Sequence, residues 1–330
     1  MKEQEILRVE DLKKYFKIKR NALEKLAPKE QKYIHAVDGI SFTVGEKEVL
    51  GFVGESGCGK STMSRTILRL IEPTAGNIYF NGKDITAMRR HELRRNRRYM
   101  QMIFQDPFGS LNPRRTVSET LRQTIRIHRL VNTVEEEDNL IWKTLEEVEL
   151  NPPDLYWDKY PASLSGGQQQ RVSIGRVLIL RPKFVIADEP VSMLDVSVRI
   201  GVLKLLLKIK EKYNISFIYI THDLSTARYV CDRIAIMYLG KIVEIAPTEE
   251  ILQNPVHPYT NALLTAVPDI DPNIQVHDVP IKGFVPVIPG ESAVCRFYPR
   301  CPYSMEKCGE EEPELLEYSK GHFVACFLKR

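Results

Sequence analysis

Long apolar runs are missing from this chain. None approaches the ~18 residues that a membrane-crossing helix requires, so any work at a membrane is expected to go through a partner. The start, MKEQEILRVEDLKKYF, lacks the apolar region of a secretory leader, and no signal peptide is expected. Charge of one sign is also scarce. Lysine and arginine number 47 against 43 acidic residues, and the net charge of +4 carries no global nucleic-acid signature. Closely spaced cysteine pairs are absent too, which counts against an ordinary structural zinc site. Internal repeats of short period are not seen.

What is present is enough for a sizeable core. The 330 residues are 43% hydrophobic and 27% charged, the composition of one large domain or two modest ones with an ordinary wet surface. One local charge run stands out. RRHELRRNRR, Arg89 to Arg98, holds six arginines and reads as a solvated helix face or as a phosphate or lipid-headgroup contact.

VLGFVGESGCGKSTMSRTIL reads as a buried strand over Val49–Val53, a glycine turn, and a helix from about Lys60. Gly54, Gly59, Lys60 and Ser61 fit the G-x-x-x-x-G-K-[ST] phosphate loop. In such a loop the backbone of Gly54, Glu55, Ser56, Gly57, Cys58 and Gly59 curls N–H groups around phosphate oxygens at a helix N-terminus. Lys60 would neutralise the β- and γ-phosphates, Ser61 would complete a Mg²⁺ shell, and Thr62 would reach the α-phosphate. KFVIADEP, Lys183 to Pro190, is an apolar strand ending in two acids. Asp188 is placed to hold Mg²⁺ through water, and Glu189 to polarise a water for in-line attack on the γ-phosphate. ATP, Mg²⁺ and hydrolysis are therefore expected.

A second anion site lies between these two. LSGGQ, Leu164 to Gln168, opens a helix and offers Ser165, Gly166, Gly167 and Gln168 as donors without a base or nucleophile. With IFQDP (Gln105), SMLDVS (Asp195) and ITHDL (His222) following in order, the chain resembles the ABC-type ATPases over roughly Asp11 to Ala246. The resemblance implies a head-to-tail pair of subunits, each nucleotide lying between one chain's phosphate loop and the other's LSGGQ segment. It implies that Gln105 contacts Mg²⁺ or the attacking water and that His222 touches the γ-phosphate and orients Glu189. It also implies that Asp195 couples the two sites, and that an early aromatic stacks on adenine. Tyr15 aligns best for that role, with Phe16 and Tyr33 as rivals and an insertion over roughly Ile18 to Tyr33 between them.

The implied fold is α/β. It has a P-loop core of ABC type with a mixed, mostly parallel sheet, an antiparallel β-subdomain and a helical subdomain at about 106–180. Strand-like stretches at Ile6–Val9, Ile40–Val44, Val49–Val53 and Ile78–Phe80 are grouped with the antiparallel part. The ATPase domain is expected over 1–250, and a small cysteine-bearing extension over 251–330.

NPVHPYTNALLTAVP, Asn254 to Pro268, together with CRFYPRCP, is similar to the tail of dipeptide and oligopeptide importer ATPases of prokaryotes. That implies a peripheral subunit on the cytoplasmic side of the membrane, working with a second ATPase subunit and two permeases. It also implies an external binding protein as indirect partner, with no nucleic acid. Related importers of nickel or other small solutes carry similar tails, and a soluble ABC ATPase acting on RNA or ribosomes is the distant alternative. A redox-sensing module built around the tail is a third.

Cys295, Cys301, Cys308 and Cys326 are spaced C-x₅-C-x₆-C-x₁₇-C. The residues by themselves admit a metal or cluster site, unpaired structural thiols, or disulfides, with export chemistry disfavoured. Resemblance to tails that hold a [4Fe–4S] cluster implies those four as its ligands, in a structural role, with zinc the lesser alternative. Cys58 and Cys231 are expected to be small buried residues.

Overall fold

The structure, a computed structural model, describes residues 5–18, 32–265 and 293–329. Its strands are β1 (Glu5–Lys17), β2 (Tyr33–Gly45), β3 (Val49–Val53), β4 (Ala75–Phe80), β5 (Lys83–Asp84) and β6 (Met100–Ile103). They continue with β7 (Phe184–Asp188), β8 (Ser216–Thr221), β9 (Arg233–Tyr238), β10 (Lys241–Pro247), β11 (Leu316–Ser319) and β12 (His322–Val324). Helices are α1 (Lys60–Ile67), α2 (Arg90–Asn96), α3 (Pro107–Ser110), α4 (Val117–His128), α5 (Val134–Glu147) and α6 (Asp154–Trp157). After them come α7 (Gly166–Leu178), α8 (Val196–Tyr213), α9 (Leu224–Val230), α10 (Thr248–Gln253) and α11 (Pro258–Thr265). The chain divides into two compact units. One holds Val44–Val49 and Ala87–Ile220; the other holds Leu7–Thr43, Leu50–Thr86 and the chain from Thr221 onward.

The unit that contains the tail has an antiparallel layer and a mixed one. The antiparallel order is β2-β1-β4-β5. Along β1, Leu7, Val9 and Leu12 are buried while Arg8 faces outward, the alternation of a sheet with one wet face. Leu7 pairs with Phe80 and Val9 with Ile78. In the mixed layer β3 runs parallel to β9, with Gly51 opposite Ile234, while β9 and β10 form an antiparallel hairpin and β12 adds to β10. Val49–Val53 therefore does not belong with the antiparallel strands, where the sequence grouped it. Every residue of β3 is buried, and a run apolar on both faces suits a parallel neighbour better than a half-wet sheet.

The second unit carries the parallel run β6-β7-β8, with Met102 opposite Ile186 and Ile186 opposite Ile218. Its helices lie mainly within the stretch expected to be helical, about 106–180. Thr116 with Glu119 and Thr133 with Glu136 form capping boxes that start α4 and α5. Val117, Leu121 and Ile125 recur every four residues and give α4 one buried face. Gly175 of α7 leaves only 3.4 to 3.7 Å between a would-be Cβ and Thr144, Val148 and Leu121, so the three helices pack closely there. The arginine run becomes the short α2, which buries Leu93 alone, in keeping with a solvated face. Among the described residues no helix is long and apolar enough to cross a membrane. The inserted residues 19–31 and most of the proline-rich stretch, 266–292, lie outside the described residues.

Candidate nucleotide site

β3 delivers the chain into a loop, Gly54 to Gly59, that opens directly into α1. Gly59 is the N-cap at φ 109°. A Cβ there would fall 2.1 Å from the Ala36 carbonyl oxygen, and one on Gly54 would fall 2.2 Å from that of Met237. Both glycines are therefore demanded by neighbouring backbone, and Gly59 by its left-handed φ as well. Lys60 is buried, and its ammonium donates to the carbonyls of Gly54 (2.6 Å) and Glu55 (3.0 Å). The ammonium thus folds back onto two carbonyls of the loop, beside the helix N-terminus whose N–H groups suit a polyphosphate. Ser56 and Gly57 are exposed at the loop's crest, and Ser61 and Thr62 lie half-buried in the first turn of α1. Cys58 is buried, which pushes its thiol up and leaves it an inert filler.

In the other unit β7 ends on Asp188, which is 3% exposed. Glu189 follows at φ 46°, a left-handed conformation costly for a side-chain-bearing residue and characteristic of functional turns. Its N–H donates to the Ile220 carbonyl (2.9 Å), which fixes the turn. The Gln105 amide donates to Glu189 Oε2 at 2.9 Å, so two expected catalytic residues meet although 84 positions separate them. Asp106, next along, caps α3 through the Phe108 N–H. His222 is exposed just past β8, in the unit that holds the phosphate loop.

Ser165 is exposed and is the N-cap of α7. Its hydroxyl accepts from the Gln168 N–H (3.4 Å) and the Gln168 amide oxygen accepts from the Ser165 N–H (3.0 Å), a capping box. Gly166 lies half-exposed in the first turn; Gly167 is buried, and only glycine fits there because a Cβ would meet Val198 at 2.3 Å. Asp195 is the exposed N-cap of α8 with no capping bond from its side chain. Near this helix end Phe108 and Met193 are each 55% exposed and Val196 is 71% exposed.

The aromatic candidates separate. Tyr15 stacks on His35, centroids 3.7 Å apart and planes within 11°, and its hydroxyl donates to Asp38. One face of Tyr15 is thus taken by the chain itself. Phe16 is 40% exposed beneath the Lys14 ammonium, and Tyr33 is half-exposed at the start of β2. Burial pushes the Asp38 carboxyl up, but the Tyr15 hydroxyl and the Arg296 guanidinium outweigh it and hold it below the ordinary carboxylate range.

His35, Asp38, Arg296 and Arg300 were not anticipated as neighbours of the site. Arg296 reaches Asp38, and Arg300 forms a two-pronged ion pair with Glu55 of the phosphate loop, at 2.9 and 3.1 Å. The only hint in the sequence is the pair of arginines framed by cysteines in CRFYPRC.

None of the four tail cysteines is in a disulfide, and Cys301 and Cys308 are buried. The Cys295 N–H donates to the Cys308 carbonyl at 3.0 Å. Burial pushes the Cys295 thiol up to about 11, with the nearby Cys308 and Cys326 sulfurs adding to the rise. Burial likewise raises Cys326, helped by Cys301 and Cys308. The four thiols therefore share one neighbourhood. Even so, among the described residues no three metal-ligating side chains are gathered closely enough to hold an ion. Four soft donors fit an iron–sulfur cluster chemically; their placement here does not yet form its cage.

Comparison with known proteins meets this geometry. The ABC transporter family profile matches residues 37–192, and the profile of the oligopeptide/dipeptide transporter C-terminal region matches 243–308. The chain is 41% identical to the oligopeptide transport ATP-binding protein AppF of Bacillus subtilis, over 98% of this chain and 97% of the relative. Among solved structures, a dimeric post-hydrolysis ATP-binding cassette bound to ADP and Pi superposes with a TM-score of 0.63 at 28% identity, covering 73% of this chain and 98% of that one. The protein cbiO1 of Clostridium perfringens, part of the cbiONQ transporter complex, gives 0.63 at 26% identity, covering 76% and 92%. With a phosphate loop, an acidic strand end, a capped signature helix and an importer-type tail in one chain, it belongs to the ATP-binding subunits of the oligopeptide/dipeptide importers among ABC transporters.

Proposed function

We propose that this chain hydrolyses ATP and that the resulting motion powers import of dipeptides or oligopeptides through two permease subunits. The observation that carries nucleotide binding is the loop of Gly54 to Gly59 with the Lys60 ammonium folded onto it, and the one that carries hydrolysis is the Gln105 amide on the Glu189 carboxylate. The loop's backbone donors and cation suit the β- and γ-phosphates, and the Ser61 and Thr62 hydroxyls follow at the helix start. Ser61, Gln105 and Asp188 are the oxygen donors assigned to Mg²⁺, a hard cation that keeps much of its shell from phosphate and water. When bound, Mg²⁺ supplies neutralisation of the phosphate charge. Glu189 is the base that polarises the attacking water, Gln105 holds its carboxylate in place, and His222 is assigned to the γ-phosphate.

The second half of each site is proposed to come from another subunit. Ser165 and Gly166 offer an exposed helix N-terminus with no base beside it, and exposed Phe108, Met193 and Val196 provide apolar surface for a partner. Asp195 is assigned to the same contact. Tyr15 is assigned to adenine through the face that His35 leaves uncovered. ATP then draws two subunits together, and hydrolysis and release part them. A cytoplasmic, peripheral placement against the permeases follows from this role.

Glu189→Gln tests the assignment. The variant should bind MgATP and dimerise while hydrolysis falls roughly 10²–10⁴-fold. Near-normal turnover would remove Glu189 from its role. Turnover per mole should also rise with protein concentration; dilute monomers hydrolysing as fast as concentrated protein would overturn the shared site.

The tail is proposed to hold a [4Fe–4S] cluster on Cys295, Cys301, Cys308 and Cys326, supported by four neighbouring thiols without disulfides. No step of hydrolysis runs through it. Anaerobically purified protein should show the broad visible absorption of such a centre together with about four irons per chain; colourless, iron-free protein that is fully folded would refute this.

A further inference from the structure

The segment from the first to the second tail cysteine, Cys295-Arg296-Phe297-Tyr298-Pro299-Arg300-Cys301, reaches the phosphate loop through Arg300 and β2 through Arg296. Phe297 is 2% exposed and anchors it, its ring 5.3 Å from Tyr238, 5.5 Å from Tyr259 and 5.6 Å from His257. A tight turn follows. The Tyr298 N–H donates to the Cys295 carbonyl (3.0 Å) and the Cys301 N–H to the Phe297 carbonyl (2.9 Å). The two arginines therefore leave a stiff base, four residues apart.

Arg300 goes to the phosphate loop. Its two terminal nitrogens meet the two Glu55 oxygens at 2.9 and 3.1 Å, and the side chain is 8% exposed. A parallel two-bond pair of this kind is among the stronger charge-assisted contacts, and lysine cannot reproduce its fork. The Glu55 N–H is held in turn by the Tyr259 hydroxyl at 2.9 Å. Arg296 goes to the other candidate end of the site. It pairs with Asp38, which accepts the Tyr15 hydroxyl, while its Nε bonds Glu312 at 3.2 Å.

The consequence lies in charge. Glu55 places a carboxylate on the very loop that receives a polyanion, and a like charge there opposes binding. Arg300 cancels it. We propose that the tail tunes the nucleotide site, with Arg300 as a positioning residue that neutralises Glu55 and Arg296 as one that steadies Tyr15 through Asp38. This rests on the ATP reading above and adds to it a dependence of nucleotide affinity on the carboxy-terminal extension.

MgATP binding by calorimetry, with steady-state turnover alongside, tests it on the full chain. Arg300→Ala should weaken ATP about tenfold in Kd and KM, the scale of one uncompensated charge near the phosphates, with kcat within about twofold. Arg300→Lys should recover only part of the loss. The Glu55→Gln/Arg300→Ala double variant should return to within about twofold of wild type, a rescue that a merely structural role would not produce. Glu55→Gln alone removes the opposing carboxylate while the Arg300 charge stays, and should tighten ATP about threefold or more. Wild-type affinity in Arg300→Ala, failure of the double variant to rescue, or no tightening in Glu55→Gln would each overturn the proposal. If wild type itself bound no ATP, the nucleotide reading would fail instead.

Discussion

Replacing Glu244 should free the carboxy-terminal tail from β10. This carboxylate is fully buried and sits in register with Val324 of β12. Oε1 accepts the Val256 N–H at 2.8 Å and lies 2.7 Å from His322 Nε2, while Oε2 accepts the His257 N–H at 3.0 Å. It therefore ties three segments together: β10, the turn before α11, and the last strand. Glu244→Ala leaves two buried N–H groups without acceptors, at about 1–3 kcal/mol each. It also strands His322, which is 1% exposed, and adds a void where the side chain was. The expected loss is about 3–5 kcal/mol, the range found when one partner of a buried pair is removed. Glu244→Gln should cost less. Its amide can keep an oxygen at the Oε1 position for Val256 and His322, so that only the His257 N–H faces a donor, a loss of about 1–3 kcal/mol. The assay is hydrogen exchange at the Val256 and His257 amides, with urea unfolding alongside. Protection should fall in the order wild type, glutamine, alanine. Alanine-variant amides that exchange at the wild-type rate would refute the reasoning, because nothing else described here accepts from them.

The remaining predictions concern the loop, the catalytic pair and acid. Gly59→Ala forces a side chain to φ 109° and to within 2.1 Å of the Ala36 carbonyl, so it should destabilise by more than about 2 kcal/mol and abolish nucleotide binding; wild-type affinity in a calorimetric titration would contradict this. Gln105→Ala releases the Glu189 carboxylate and deletes an assigned Mg²⁺ donor, and should lower kcat by about 10- to 100-fold while raising the Mg²⁺ concentration needed for half-maximal turnover; wild-type kcat would contradict this. Burial holds His257 down to about 3 from 6.5, so in the fold it is neutral and its Nδ1 accepts the Tyr259 N–H. The unfolded chain takes up that proton first, so the histidine's contribution is present above pH 6.5 and is lost as pH falls from 6.5 toward 3. The slope is at most about 1.4 kcal/mol per pH unit. Urea midpoints taken between pH 7 and 4 should decline less steeply in His257→Asn than in wild type; parallel curves would sink this attribution.

The local chemistry was readable in advance because it is made of near neighbours. A glycine loop that opens a helix, an apolar strand that ends in acids, and a serine that caps a helix each depend on residues a few positions apart. The spacing of Gly54, Gly59 and Lys60 already implies a loop of backbone with a cation at the helix start. The serine and glutamine of LSGGQ are also a capping box, so the same residues start the helix and present its N-terminus. The tail cysteines were less informative, since their spacing matched no standard ligand set and their packing leaves them near one another without a finished cage.

Partner choice was another matter. Whether Val49–Val53 joins the antiparallel or the parallel layer depends on β9, more than 170 residues away, and a five-residue apolar run hints at cover on both faces without naming the strand that supplies it. The meeting of Gln105 with Glu189 could be guessed only through resemblance, and that of Arg300 with Glu55, 245 positions apart, not at all. An exposed arginine and a buried, paired one look identical in a string of letters. Composition and spacing alone thus determined the local frames, a glycine loop into a helix, an acidic strand end and a capped helix start, on which the proposed phosphate contacts rest. Only folding, by closing long loops against a shared core, decided which charges would stand beside them.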